Sequence, residues 1–358
     1  MYKKQRSSNL ELLRIICILI IILSHYSVHG DFNINAASIP FNKFFIQSSG
    51  LGEIGVDCFI FISGYFLVNS TFNFKKLLKL ELEVLLYSIG IAIIYYVVSH
   101  GNIGMKEMIK ACLPTLSGQY WFMSAYILLY MLSPFINLLI KSLSQRMHLL
   151  CIMVLFSIYI LIPTFTMFTI AGSSNIMLFI TLYLIAAYIR LYPNATNYFN
   201  HMKLNIIMIV LSYIIIILPI IIYSKLGIIS YNYFMGAHSL PLVVCSLSLF
   251  LAFKNMNISY NRIINWLAGS VLGVYLIHDN PIVRNYIWKY IFRNNTFLNS
   301  KFLVFHAIGA IIIIFVVCMA IDKIRISLVE RPLWKAINPK IDKLMIKVSK
   351  CKLIEMFT

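Results

Sequence analysis

Residues 10–30 of the chain read LELLRIICILIIILSHYSVHG, an apolar run long enough to cross a bilayer as a helix. Two side chains within it, Arg14 and His25, are not apolar. They are eleven residues apart, which places them on one face of a helix and about 16 Å apart along its axis. A cation and an imidazole are unfavourable inside a membrane unless they line a polar cavity, so the pair predicts a functional site. The alternative is that Arg14 only snorkels to the inner interface and His25 only caps the outer end.

The rest of the chain is similarly apolar. Of its 358 residues, 60% are hydrophobic and 12% are charged, and the mean hydropathy is +0.85. Runs of roughly 20 apolar residues predict an all-α, polytopic membrane protein with about ten transmembrane helices around a central polar cavity. The predicted spans are 10–29, 51–69, 80–99, 121–140, 148–168, 174–191, 204–224, 238–253, 266–283 and 302–322. The spans at 51–69 and 266–283 contain glycine and polar residues, which is typical of broken or cavity-lining helices.

Lysine and arginine divide unequally between the two sides of the membrane. With the N-terminus inside, 21 of them fall on the cytoplasmic side and 8 on the outer side, which follows the positive-inside rule. We therefore predict a multi-pass protein of the cell membrane, with an uncleaved first helix and both termini in the cytoplasm. The basic outer loop 284–301 departs from the rule, and it marks either a misplaced boundary or a surface that faces an anionic acceptor.

Composition also limits the partners. The net charge of +18 falls in short loops between spans, so we predict the lipid bilayer, and not nucleic acid, as the surface that these cations face. The seven cysteines are isolated in the sequence and lack the spacing of a zinc site, so we predict buried packing residues and no metal. The high content of isoleucine, asparagine and lysine suggests an AT-rich bacterial genome.

Three further segments combine polar residues with apolar surroundings. The first, GLGEIGVDCFIFISGYFL at 50–67, has glycines that permit close approach of a ligand or only the packing of another helix. The second, Trp121-Phe122, begins a span and suits either a site or an aromatic interface belt. The third, SVLGVYLIHDNPIVR at 270–284, contains His278 and Asp279, and a histidine in such a position is often only a packing residue.

Together these segments resemble the membrane-bound acyltransferase-3 family, whose members O- or N-acylate sugars and other acceptors. The first span of that family carries arginine, ten residues and then histidine, as Arg14 and His25 do here. The other matches, in family order, are Gly55–Tyr65 to GVDxFFxxSGF, Trp121-Phe122 with the downstream Pro134, Tyr275–His278 to YLxH, and Glu330-Arg331-Pro332 to the closing ERP. The set covers nearly the whole chain.

Two departures from the family pattern matter. Where family members place arginines after the glycine-rich segment, this chain has Lys75, Lys76 and Lys79, which bind phosphate as point charges and not as bidentate forks. Many members also append an extracytoplasmic SGNH-type domain, and we expect none here. We therefore assign residues 1–335 to the acyltransferase-3 transmembrane domain and 336–358 to a basic cytoplasmic tail, and we expect direct transfer to the acceptor or to a separate partner protein.

The resemblance implies an integral membrane O-acyltransferase of the cell envelope. Its donor would be cytoplasmic acyl-CoA, with acetyl-CoA expected and no bound cofactor, and its acceptor a hydroxyl of an extracytoplasmic or lipid-linked glycan. His25 would be the general base or an acyl carrier, and Arg14 would orient the donor or polarise its carbonyl. The implied substrate-binding residues are Lys75, Lys76, Lys79, Ser63, Tyr65, Trp121, His278 and Glu330.

Two other functions fit a basic, polytopic chain. One is export of a polysaccharide or lipid-linked oligosaccharide, although exporters usually show two similar halves and the sequence has no convincing internal repeat. The other is a structural subunit of a polysaccharide synthase complex, which would not need Arg14 or His25. Polysaccharide synthesis and export proteins are accordingly further candidate partners.

Overall fold

The computed structural model describes residues 6–166, 175–225 and 233–349. Helices joined by turns make up this part of the chain, and no strand occurs in it, so the all-α prediction is confirmed. The helices are α1 Ser8–Val28, α2 Pro40–Ser48, α3 Gly52–Leu67, α4 Phe74–Val98, α5 Met105–Cys112, α6 Trp121–Ser142, α7 Gln145–Phe156, α8 Ile162–Thr166, α9 Asn175–Leu191, α10 Met202–Lys225, α11 Leu240–Lys254, α12 Arg262–Ala268, α13 Val271–His278, α14 Pro281–Tyr286, α15 Leu303–Arg325 and α16 Arg331–Ser349.

By length and composition, six segments of the described chain can cross a membrane. They contain α1, α2–α3, α6, α7–α8, α10 and α15–α16. The other four predicted spans correspond to α4, whose first turns carry charged residues, to the apolar helices α9 and α11 of 17 and 15 residues, and to the series α12–α14. The predicted span 148–168 ends outside the described residues, and the predicted span 174–191 begins outside them.

The helices α1 and α3 form the centre of the molecule. Helix α1 contacts α3, α11, α12, α13 and α15, while α3 also packs on α9. Their close approach depends on glycine, because a Cβ at Gly55 would lie 2.7 Å from the carbonyl oxygen of Cys17 and one at Gly52 would lie 2.9 Å from Ser24 Cβ. By contrast, α7 and α10 expose most of their apolar side chains, as expected of lipid-facing helices.

The predicted span 266–283 is broken in the structure. Gly269 and Ser270 separate α12 from α13, and Asn280 separates α13 from α14. The Asn280 side chain accepts a hydrogen bond from the backbone N–H of Ile282 at 3.0 Å, and Pro281 occupies the first turn of α14, where it needs no backbone donor. The break turns the end of α13, with His278 and Asp279, toward the C-terminal end of α1.

A cap of short helices and turns holds the C-terminal end of α1 in place. Tyr26 is fully buried, and its hydroxyl lies 2.9 Å from Nδ1 of His306 on α15. The Asn294 amide donates to the carbonyl oxygen of Tyr26 at 3.1 Å, and the Asn42 amide donates to those of Leu298 and Ser300 at 2.8 Å each. The predicted basic outer loop thereby packs on α1 and α2, which fixes the last turn of α1.

The C-terminal region continues the last membrane helix. Helix α15 passes through a π-helical turn, Ile326–Glu330, directly into α16. The predicted boundary between membrane domain and tail, at 335–336, falls within α16, and residues 350–358 of the predicted tail lie outside the described residues. An ion pair joins α16 to the start of α4, between Asp342 and Lys75.

Candidate active site

A cavity of about 690 Å³ follows one face of α1. Both Arg14 and His25 line it, and His29 lies at its far end. The eleven-residue spacing therefore places a cation and an imidazole in one chamber, about three helical turns apart. The side chain of Arg14 is 31% exposed and that of His25 is 18% exposed. Their polar atoms are consequently reachable by a molecule in the cavity.

At the His25 end, two histidine rings contact each other. Nδ1 of His25 lies 3.0 Å from Nε2 of His278, and Nδ1 of His278 lies 2.6 Å from the carbonyl oxygen of Val274. His278 is fully buried beneath His25 and does not line the cavity. Its place at the end of α13 follows from the break in the 266–283 segment.

A carboxylate and a guanidinium complete this end of the cavity. Asp279 Oδ1 lies 3.6 Å from Nδ1 of His25 and accepts a hydrogen bond from Arg284 Nη1 at 3.2 Å. The same Arg284 nitrogen lies 3.4 Å from Nε2 of His29. Side-chain ligand atoms of His25, His29 and Asp279 lie within 4.8 Å of one another, a grouping that could hold a metal ion. Arg284 contacts both Asp279 and His29, so a positive charge already lies against this group.

At the other end, Arg14 is anchored on its own helix. Its Nη1 donates to Glu11 Oε1 at 2.9 Å, and Arg6 approaches Glu11 Oε2 at 3.9 Å. A single contact leaves the other guanidinium N–H groups able to donate to a ligand. Leu80, which directly follows Lys79 in the second turn of α4, also lines the cavity.

None of the three predicted lysines lines the cavity. Lys75 pairs with Asp342, Lys79 pairs with Glu330 at 2.7 Å, and Lys76 is exposed and makes no ion pair within the described chain. Glu330 also accepts from Arg325 Nη1 at 2.6 Å. Glu330 thus belongs to an ion-pair network at the junction of α15 and α16, in contact with the second turn of α4 through Lys79.

Aromatic side chains form the middle of the cavity wall. Trp121 and Phe122 line it at the start of α6, and Phe122 stacks on Tyr126 with ring centroids 5.8 Å apart. Ser63 lines it too and donates to the Tyr126 hydroxyl at 3.3 Å. Tyr65 does not line the cavity, since its hydroxyl accepts a hydrogen bond from Arg190 Nη1 at 2.9 Å.

Sequence reasoning did not single out three side chains of the site. Glu53 lines the cavity and has one buried carboxylate oxygen without a partner among the described residues, and Tyr126 lies beside Ser63. Glu53 follows Gly52 in a quoted segment, but a glutamate in the first turn of a helix also suits the helix dipole. Arg284 was predicted only as part of the discordant basic loop. The turn that brings it to Asp279 could not be derived from periodicity.

The arrangement combines groups that acyl transfer requires. One end offers the guanidinium of Arg14, which suits a phosphate or another anionic group. The other end offers an imidazole, which can accept a proton from a hydroxyl. Apolar and aromatic side chains form much of the remaining wall, and such a wall favours an apolar ligand group over water.

Comparison with known proteins identifies the family. The family model described as "Acyltransferase domain", the acyltransferase-3 model, matches residues 7–323. The matched region begins before α1 and ends in α15, and it includes every residue that lines the cavity. No curated protein and no solved structure shows significant similarity to the chain. Because the match covers well over half of the chain, the protein belongs to the acyltransferase-3 family and is a membrane acyltransferase.

Proposed function

We propose that the protein transfers an acyl group, expected to be acetyl, from cytoplasmic acyl-CoA to a hydroxyl of an extracytoplasmic or lipid-linked glycan. The observation that carries this proposal is the single cavity lined by both Arg14 and His25. With both termini in the cytoplasm, Arg14 faces the side on which acyl-CoA is made. His25 then faces the side on which surface glycans lie.

The cationic end of the cavity fits the donor. Acyl-CoA carries a pyrophosphate and a further phosphate, which call for cations at the cytoplasmic mouth. Lys76 has no ion-pair partner among the described residues, while Lys75 and Lys79 would have to exchange carboxylates for phosphate. The pantetheine arm would extend along α1 past Arg14. Its thioester would then lie between the aromatic wall and His25.

The imidazole end fits the transfer step. The acceptor hydroxyl oxygen attacks the thioester carbonyl carbon as His25 accepts the hydroxyl proton. A carbon–oxygen bond forms, the carbon–sulfur bond breaks, and the proton on His25 passes to the departing thiolate. Asp279, 3.6 Å from the His25 ring, stabilises the cationic imidazole between these events. In the alternative route, His25 first accepts the acyl group itself and then passes it to the hydroxyl.

The test is O-acetylation of surface glycans in cells that carry single substitutions at matched expression. His25→Ala removes the base, so we expect a loss of about 10²- to 10⁴-fold. Arg14→Ala should also reduce transfer, with a higher requirement for acetyl-CoA in inverted membrane vesicles. His100→Ala is the matched control, because His100 is exposed in the turn after α4 and should leave acetylation unchanged. Normal acetylation in His25→Ala would contradict the proposal.

A deletion strain separates this function from export. A transferase predicts that the glycan still reaches the surface and has lost its acyl groups. An exporter predicts that the glycan accumulates inside the cell. NMR of glycans from both compartments distinguishes the two and identifies the acceptor.

A further inference from the structure

The contacts of His278 restrict where protons can reside on the two histidine rings. A carbonyl oxygen only accepts hydrogen bonds, so the 2.6 Å contact with Val274 requires a proton on Nδ1 of His278. A neutral His278 then has no proton on Nε2, which must accept. The 3.0 Å contact between the rings accordingly requires His25 to donate from its Nδ1. A neutral His25 with its proton on Nδ1 has its lone pair on Nε2.

The opposite assignment would need a doubly protonated His278. That residue is fully buried, and the guanidinium of Arg284 lies in the same network, paired to Asp279 at 3.2 Å. The titratable groups around the two rings are His29, Asp279, Arg284 and Tyr275. The one carboxylate among them lies against Arg284 and the His25 ring, so a positive charge on the buried His278 would have no carboxylate within 4.0 Å among the described residues. The neutral arrangement is therefore favoured.

Nε2 of His25 is the nitrogen left for chemistry. No described residue donates to it or accepts from it within hydrogen-bond distance, although His25 lines the cavity. Asp279 is not the main partner of the ring, because its 3.6 Å separation from Nδ1 exceeds an ordinary hydrogen bond. His278 thus takes the place that a carboxylate occupies behind the histidine of a serine-protease triad.

We propose that His278 is a positioning residue that holds the proton of His25 on Nδ1 and thereby keeps Nε2 as the base for acyl transfer. This inference rests on the proposed function. It assigns His278 a role behind His25 and not in direct contact with the acceptor. The chain Val274 carbonyl, His278, His25 also fixes the plane of the reacting ring, because both hydrogen bonds of His278 are directional.

Two substitutions at 278 separate the hydrogen bond from the packing. In His278→Phe the ring volume remains but the acceptor is lost, so the proton of His25 can move to Nε2. In His278→Gln the amide oxygen can still accept from Nδ1 of His25. We expect His278→Phe to reduce acyl transfer by at least about tenfold. The upper limit is the loss of about 10⁴-fold that a wrongly protonated histidine causes in a serine protease. We expect His278→Gln to keep much of the wild-type transfer activity.

His148 provides the matched control. It is also fully buried, and its Nε2 lies 3.2 Å from the carbonyl oxygen of Leu184, but no second histidine contacts it. His148→Phe should therefore reproduce any packing defect without changing the protonation of His25. Equal losses of transfer in His148→Phe and His278→Phe, at equal amounts of folded protein, would overturn the proposal.

Nitrogen NMR of the full-length protein, labelled with ¹⁵N-histidine in lipid, reads the tautomer directly. The His25 signals are assigned by their loss in His25→Asn. We expect a protonated Nδ1 and an unprotonated Nε2 in the wild type and in His278→Gln, and a change in His278→Phe. This measurement needs neither the donor nor the acceptor. If the wild type holds the His25 proton on Nδ1 but transfers no acyl group, the proposed function is rejected. If the wild type transfers the acyl group with the His25 proton on Nε2, the role of His278 is rejected and the proposed function stands.

Discussion

At the scale of single residues, the site depends on what lies behind each reactive side chain. Arg14 is oriented by Glu11, one turn earlier on the same helix, whereas His25 is oriented by His278, 253 residues later. The first contact is local and could form in any helix with this sequence. The second contact exists only when α13 ends beside α1. The chemistry at His25 is therefore a property of the tertiary fold, while the charge at Arg14 is a property of α1.

Trp121 gives a prediction about the acyl group. It forms part of the cavity wall beside Phe122, with its ring 6.4 Å from that of Phe179. Replacing it by alanine removes the indole ring and opens space next to the proposed thioester. We expect Trp121→Ala to transfer propionyl relative to acetyl about 10- to 200-fold better than the wild type, since one methylene contributes about 1–3 kcal/mol in an apolar pocket. Competition between the two labelled donors in inverted vesicles measures this ratio.

Phe135→Ala is the control for Trp121→Ala. Phe135 lies on the same helix but is 58% exposed and faces away from the cavity. Its replacement should leave the donor preference unchanged. If Trp121→Ala also keeps the donor preference of the wild type, the acyl chain does not bind against this wall.

At the scale of helices, the position of the cavity depends on how closely α1 and α3 pack. A Cβ at Gly55 would lie 2.7 Å from a backbone oxygen and 3.0 Å from Ile21 Cγ1, and backbone cannot move aside as a flexible side chain can. We expect Gly55→Ala to separate the helices and to destabilise the protein by about 1–3 kcal/mol. Thermal unfolding in detergent, followed by the loss of monodisperse protein, measures the change.

Gly90→Ala is the matched control for this packing argument. Gly90 lies inside α4, and nothing approaches its Cβ position within 4 Å. Alanine favours a helix over glycine by about 0.5–1 kcal/mol, so this variant should be as stable as the wild type or slightly more stable. We therefore expect Gly55→Ala to lower the stability of the protein and Gly90→Ala to leave it unchanged or raise it slightly. A stable Gly55→Ala variant would show that α1 and α3 do not touch at this point.

The ion-pair network around Arg325 operates at the same scale. Its guanidinium contacts Asp322 and Glu83 at 2.9 Å and Glu330 at 2.6 Å, and Tyr87 donates to Asp322 at 2.7 Å. These contacts join α4 to the π-helical turn between α15 and α16. Because Lys79 also pairs with Glu330, the network holds in place the turn of α4 that includes Leu80, which lines the cavity.

At the scale of the whole molecule, the helical architecture and the Arg14–His25 face of α1 could be predicted from the sequence. Long apolar runs predict membrane helices, and the fixed rise and rotation per residue of a helix place two side chains at this spacing on one face. The partner of His25 could not be predicted, because it depends on where a broken segment ends after packing on α1. The same reason applies to Lys75 and Lys79, whose carboxylate partners Asp342 and Glu330 lie far away in the sequence.

The orientation of the molecule in the membrane can be tested with its own cysteines. The prediction that the cysteines are buried is wrong for Cys112, which is exposed at the end of α5, and Cys151 is partly exposed. Cys17, Cys58, Cys245 and Cys318 are buried. The predicted topology places Cys112 in an outer loop. It places Cys351, which lies outside the described residues, in the cytoplasm. These two thiols therefore report on opposite sides of the membrane without an introduced tag.

We expect a membrane-impermeant maleimide to label Cys112 in intact cells, and Cys112→Ser to remove that labelling. In inverted vesicles, Cys351 should be labelled and Cys112 protected, with Cys351→Ser as the reciprocal control. The proposed reaction depends on this result, because the sidedness assigns Arg14 to the donor and His25 to the acceptor. If Cys112 is labelled in inverted vesicles but not in intact cells, the protein has the opposite orientation in the membrane. The cationic end of the cavity would then lie where cytoplasmic acyl-CoA could not reach it.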